Sequence, residues 1–265
     1  MATVRDIFVQ MDQWAPFETQ MDFDNAGFLV GRGDREVRKI LVALDITEPV
    51  ADEAAEWGAD LIVAHHPVIF QPVRRITDET PAGRILLALA ERGIAAICAH
   101  TNLDAAQGGV NVCLAQALEL TDLEQLHQDG VDRNGQPYGI GRVGTCHRAE
   151  LSAQEYAAFV KEKLHAAGVR FADGGKPVRR VAVGGGSCGS MLEDALAAGC
   201  DTFVTADVKY NQFLDAKALG ITLMDAGHYA TENVVCPKIV QYLSLKFPGI
   251  PVKVSQTHQE VYGCV

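Results

Sequence analysis

The chain has 265 residues, with 34 acidic against 23 basic side chains and a formal net charge of −11, which argues against a nucleic-acid backbone or an anionic membrane as main partner. Hydrophobic residues at 48% and charged residues at 22% are ordinary for a soluble globular protein, and the length suffices for one large domain or two ordinary ones. Apolar stretches such as "ILLALA" (85–90) fall far short of a bilayer span, and seven scattered cysteines without a CxxC pair predict reduced thiols in a cytoplasm.

The opening "MATVRDIFVQMDQWAP" mixes charges with amphipathically spaced apolar residues and reads as a surface helix stopped by Pro16. Strands then alternate with helices, the pattern of a parallel or mixed α/β sheet. "KILVALDIT" (39–47) is a strand, "EPVADEAAEWG" a helix and "ADLIVAHHP" a strand. After the polar "QPVRRITDETPAG", "RILLALAERG" is a helix, "IAAICAHTNLD" a strand with its exit, and "GVNVCLAQALEL" a helix. In the middle of the chain "YGIGRVGTC" alternates like an antiparallel strand, and "SAQEYAAFVKEKLHAAG" opens with an N-cap serine and closes with a glycine.

The second half repeats this plan. "RRVAVGGGSCG" is a strand and turn, "SMLEDALAAG" a helix, "CDTFVTADVKY" a strand, "NQFLDAKALG" a helix, "ITLMDAGHYATE" a strand with its exit, and "NVVCPKIVQYLSLKF" a helix. Aligned on helix-ending glycines, Gly58-Ala59-Asp60 lies over Gly199-Cys200-Asp201, and Gly93-Ile94 over Gly220-Ile221. The shared order of elements predicts a structural duplication: a first α/β repeat unit at 1–125, a second at 126–225, and a closing segment at 226–265 that returns to the metal site and the first unit.

The chemistry-bearing residues sit at strand exits, where open α/β sheets bind ligands. His65 and His66 follow the buried run Leu61-Ile62-Val63-Ala64, and Pro67 ends it. Taken alone, the doublet reads as packed histidines bonded to backbone; its weight comes from what else shares that edge. His100 and Asp104 stand four apart in one exit, and His228 and Glu232 four apart in another, each spacing putting both groups on one face of a helical turn. His65, His66, Asp104, His228 and Glu232 supply three imidazoles and two carboxylates, too many for one tetrahedral ion with an open position. Two divalent ions sharing a carboxylate would use them all. Imidazole and carboxylate without thiolate suits zinc, iron or manganese.

The segments "DNAGFLVG", "LIVAHHPVIF", "AHTNLDAAQGGVN" and "DAGHYATE", in that order, resemble the family named after NGG-one-interacting factor three, also catalogued as GTP cyclohydrolase 1 type 2 homologs. The resemblance spans essentially the whole chain. It implies two intertwined α/β repeats with mostly parallel or mixed sheets flanked by helices, a dinuclear metal centre and a homohexamer. Carried over residue by residue, it makes His65, His66, Asp104, His228 and Glu232 the metal ligands, with Glu232 as the bridge. One departure is "DVKYNQ", where many relatives carry a histidine pair and this chain has Tyr210 and Asn211.

Paired divalent ions activate water and clamp a displaced oxygen, so the leading expectation is a metal-dependent hydrolase of a small phosphorylated or nucleotide-like substrate. His100 and Glu232 are its catalytic candidates, His100 as a proton carrier. The rival is an oligomeric metal-binding or partner-binding module without turnover. Asp45 reads equally as an orienting group for a ligand or as a helix cap, and "VAVGGGSCGSML" as a tight turn or a phosphate cradle. Asn25 and Gly27 are expected to shape a loop near the site, Cys98 to pack within its strand, and His258 to reach a site rim.

Overall fold

The computed structural model describes residues 1–148 and 150–265. They form two compact units: Met1–Ala106 with Cys236–Gln259, and Gln107–Val235 with Glu260–Val265. These units divide ahead of the 125/126 boundary drawn from the repeat. The reason is packing: Leu114, Ala115 and Leu118 are buried with Val181 and Val183, in the core of the second unit.

The first unit opens with helix α1 (Val4–Trp14), held by a reciprocal cap in which Thr3 Oγ1 accepts from the Asp6 amide while the Asp6 carboxylate accepts from the Thr3 amide. Its sheet comprises β1 (Gly27–Val30), β2 (Ile40–Ala43), β3 (Leu61–Ala64), β4 (Ala95–Cys98) and the late strand Val252–Val254, in the order β1-β4-β3-β2-(Val252–Val254). All neighbours are parallel except β1 against β4. Helices α2 (Glu48–Trp57) and α3 (Pro81–Arg92) cover one face, burying Val50, Ala54 and Leu89 against Leu41, Ile62, Ala64 and Cys98. Covered strands of this kind need continuous apolar runs, and β2, β3 and β4 are buried at every residue.

The second unit has a six-stranded sheet of β5 (Thr121–Gln125), β8 (Arg142–Thr145), β10 (Arg180–Val183), β11 (Thr202–Thr205), β12 (Thr222–Asp225) and β9 (Arg170–Ala172), in that order; β6 (Gly130–Val131) and β7 (Pro137–Tyr138) pair as a separate hairpin. Alternation sorts its core: Val181, Val183, Val204 and Met224 are buried with helices α5 (Val110–Ala117) and α6 (Ala153–Leu164). Ala182, Phe203, Ile221 and Leu223 are buried on the other face, with α7 (Leu192–Ala197) and α8 (Tyr210–Leu219). The cap of α6 is Ser152 as expected, but the helix ends at Leu164, with His165 in the left-handed conformation (φ 52°) rather than at the glycine three residues on.

The duplication is written in backbone hydrogen bonds. The Asp60 amide donates to Lys39 O, and Asp201 to Arg180 O; the Ala95 amide donates to Asp60 O, and Thr222 to Asp201 O. Asp60 also accepts from the Arg38 amide at 2.9 Å and Asp201 from the Arg179 amide at 3.0 Å. Each central β-α-β-α-β run is flanked by an antiparallel strand that precedes it in the chain, β1 on β4 and β9 on β12. On the other side of each run the units diverge: β2 pairs with the parallel C-terminal strand in the first, and β10 with the antiparallel β8, itself edged by β5, in the second.

Candidate metal centre

In the first unit, strand pairing continues past β3: the His65 and His66 amides donate to Ala43 O and Leu44 O. His100 stands at the N-terminal boundary of the short helix α4 (Thr101–Ala105), whose fourth residue is Asp104. One ring nitrogen each of His65, His66 and His100 lie within 4.8 Å of one another, and Asp104 Oδ1 lies 3.7 Å from His65 Nε2. His65 and Asp104 are buried, His66 and His100 partly so.

What marks these imidazoles is how their Nδ1 atoms are used. His65 Nδ1 meets Ala99 O at 2.8 Å, His66 Nδ1 meets Asp45 Oδ1 at 2.7 Å, and His100 Nδ1 meets Asp24 Oδ1 at 2.7 Å. A carbonyl or carboxylate oxygen only accepts, so each Nδ1 carries the proton and each Nε2 presents a lone pair. That is the arrangement in which metal-binding histidines are held. His100 is anchored in the same way as the doublet, so its geometry qualifies it as a donor as well as a proton carrier.

The second unit carries the same device. Helix α9 (His228–Glu232) sets His228 Nε2 3.0 Å from Glu232 Oε2, while His228 Nδ1 meets Asp207 Oδ2 at 2.6 Å. Glu232 is buried. Gly186 is what makes room: with φ at +63°, a Cβ there would meet Glu232 Oε1 at 2.1 Å and His228 Nε2 at 3.2 Å.

The two His-carboxylate pairs do not, however, occupy equivalent positions of the repeat. Register pairs Ala64 with Cys98 and Thr205 with Asp225, and α4 begins at Thr101 whereas α9 begins at His228. His228 therefore corresponds to Thr101, and Glu232 to Ala105, one residue on from His100 and Asp104. The two pairs share a spacing of four but sit one residue apart on the two helical turns.

Asp45 is an orienting group: the cap of α2 is Thr47, and Asp45 is bonded instead by His66 and, at 3.1 Å, by His258 Nε2. Burial would raise the Asp45 carboxyl, but the bonds from His258 and His66 outweigh it and hold it well below the usual range. Asp24, in the "DNAGFLVG" segment, was the residue the sequence did not single out. Burial raises its carboxyl too, yet bonds from His100 and Thr101 bring it down to about 2. Neighbouring Asn25 donates to Ile69 O, and Gly27 begins β1.

The glycine run after β10 is a tight turn. Its amides are engaged by protein acceptors: Gly184 by Val204 O, Gly185 by Asn111 Oδ1, Gly186 by Thr231 Oγ1 and Cys188 by Thr205 Oγ1. Cys98 is fully buried, and burial pushes its thiol up to about 12, which disfavours the thiolate. Tyr210 is exposed at the start of α8.

These features define an α/β protein with candidate His/carboxylate metal-binding groups at its strand exits. The family model of Duf34/NIF3 (NGG1p interacting factor 3) matches residues 2–261, and the chain belongs to that family. It is 38% identical over 241 residues to a GTP cyclohydrolase 1 type 2 homolog of Streptomyces coelicolor, covering 89% of this chain and 84% of the relative. It is 33% identical to the one of Streptococcus pneumoniae, covering 90% and 89%. Among solved structures, a Bacillus cereus protein related to NIF3 matches with a TM-score of 0.93 at 25% identity, covering 100% of this chain and 99% of that one. No helix among the described residues is long and apolar enough to cross a membrane.

Proposed function

We propose that this protein is a metal-dependent hydrolase of a small phosphorylated or nucleotide-like substrate, with His65, His66, Asp104, His228 and Glu232 as ligands of two divalent cations, zinc, iron or manganese. The observation that carries this reading is the common anchoring of four imidazoles through Nδ1, which leaves the Nε2 atoms of His65, His66 and His100 as lone-pair donors and turns that of His228 toward the Glu232 carboxylate. Paired divalent cations lower the pKa of water and stabilise charge on a displaced oxygen.

The chain's own groups divide the remaining work. Glu232, buried and carboxylate, balances cation charge, and its side chain is kept in place by Gly186 and His228. His100, oriented by Asp24, carries a proton between the reacting oxygen and solvent. The acidic surface disfavours polyanions, so a small substrate whose charge is met by the cations fits better than a nucleic acid. The relatives' name is consistent with a nucleotide. We further infer a homohexamer, from the family likeness, and residence in the cytoplasm, in keeping with seven cysteines present as free thiols.

The test is a panel of phosphate esters and nucleotides, GTP included, offered to metal-loaded protein and to Glu232→Ala, with metal content measured on both. Turnover abolished by the substitution supports the reading. Turnover that survives it overturns the assignment of Glu232, and a fully loaded protein that turns over nothing in the panel favours a metal-binding or partner-binding module.

A further inference from the structure

The residue of interest lies near the C-terminus, outside every recognised motif. The strand Val252–Val254 pairs in parallel with β2, so both chains leave the sheet at the same end. The exit of β2 delivers Asp45; the exit of its neighbour delivers His258. Pairing extends beyond the strand, since the Ser255 amide donates to Val42 O at 2.7 Å. Glu53, on α2, then pins the turn: it accepts from Ser255 Oγ, from the Gln256 and Thr257 amides at 2.9 and 3.2 Å, and from Lys253 Nζ at 2.9 Å. The outcome is a His258 side chain only 5% exposed, with Nε2 3.1 Å from Asp45 Oδ2 and 3.3 Å from the Asp45 amide nitrogen; the carboxylate only accepts, so the shorter contact assigns the proton to Nε2, donated to Oδ2.

Asp45 thus stands between two imidazoles, Oδ1 on His66 and Oδ2 on His258. A carboxylate held at one oxygen can swing about its Cβ–Cγ bond; held at both, it has one orientation. We propose that His258 is a positioning residue of the metal centre, locking Asp45 so that His66 keeps its proton on Nδ1 and offers Nε2 to a cation. This inference rests on the reading of His66 as a ligand. It assigns a role to a side chain 192 positions away along the chain, carried there by strand topology rather than by any motif.

The experiment uses the full chain with His258→Gln and His258→Ala. Glutamine keeps an N–H donor near the place of the ring Nε2; alanine does not. In metal-free protein, ¹⁵N chemical shifts of the His66 ring report its tautomer. We expect the Nδ1–H form in the native protein and in the glutamine variant, and a tautomer mixture in the alanine variant. Titration with cobalt(II), read by its visible absorption, should then show affinity about 10- to 100-fold weaker for His258→Ala and near native for His258→Gln. Thermal unfolding of the metal-free variants separates local from global damage. A native His66 tautomer and native cobalt affinity in His258→Ala would overturn the proposal, as would equal defects in both variants at unchanged thermal stability. If the native protein binds no cobalt while its His66 tautomer still responds to His258, the metal reading fails and the positioning contact stands.

Discussion

Gly186 and Glu232 are in van der Waals register: the space a side chain would occupy at 186 is the space that holds the Glu232 carboxylate, with only 2.1 Å between a Cβ and Oε1. The glycine is required twice, once by its positive φ and once by this approach. Gly186→Ala should therefore displace Glu232 and weaken metal binding by at least tenfold, beyond the roughly 1–2 kcal/mol expected for left-handed backbone alone. Gly199→Ala is the matched control, since φ is +73° there and a Cβ meets nothing within 4 Å. Calorimetric metal titration and urea unfolding of both variants check this; equal metal affinity in the two would refute the steric argument.

Asp24 accepts from His100 Nδ1 at 2.7 Å and from the Thr101 amide at 3.0 Å, and it also takes the Thr101 hydroxyl. Asp24→Asn would turn an amide N–H₂ toward at least one of these donors. The expected cost is about 1–3 kcal/mol of stability, together with a His100 ring no longer fixed in one tautomer. Asp22→Asn, two residues earlier and exposed, should leave both unchanged. Urea midpoints and ring ¹⁵N shifts measure the two effects independently.

Glu53 sets an acid limit on the C-terminal segment. Burial raises its carboxyl, but bonds from Ser255 and Lys253 and from the Gln256 and Thr257 amides outweigh that and bring it from an ordinary 4.5 to about 2. A depressed carboxyl stabilises the fold fully above its unfolded value and loses that contribution as pH falls through its folded value. Stability from this group should accordingly be constant above about pH 5 and decline between 4.5 and about 2, by at most about 3 kcal/mol. Glu53→Gln should be less stable than native at pH 7, and the difference should shrink across that window. A gap that stays constant from pH 6 to about pH 2.5 would contradict the linkage.

Local chemistry made much of this protein legible in its sequence. Unbroken runs such as Leu61-Ile62-Val63-Ala64 could only be covered strands, and the Gly-x-Asp echo at 58–60 and 199–201 announced the duplication that the backbone bonds of Asp60 and Asp201 bear out. The histidines and carboxylates declared themselves through residue type and spacing at strand ends. The short edge strands β1, β5 and β9 did not, because a strand of three to five residues with one solvated side carries too little period to stand apart from a loop.

Sequence alone determined which residues have the chemistry of metal donors, because softness, charge and hydrogen-bonding capacity belong to the side chain itself. Tertiary structure decided how those donors are held. It gave Asp45 to His66 and His258, Asp24 to His100, Asp207 to His228, and an empty Cβ position at Gly186 to Glu232. Such partnerships join residues 21 to 213 positions apart, and strand order and register, which no local pattern encodes, determine which distant side chains meet.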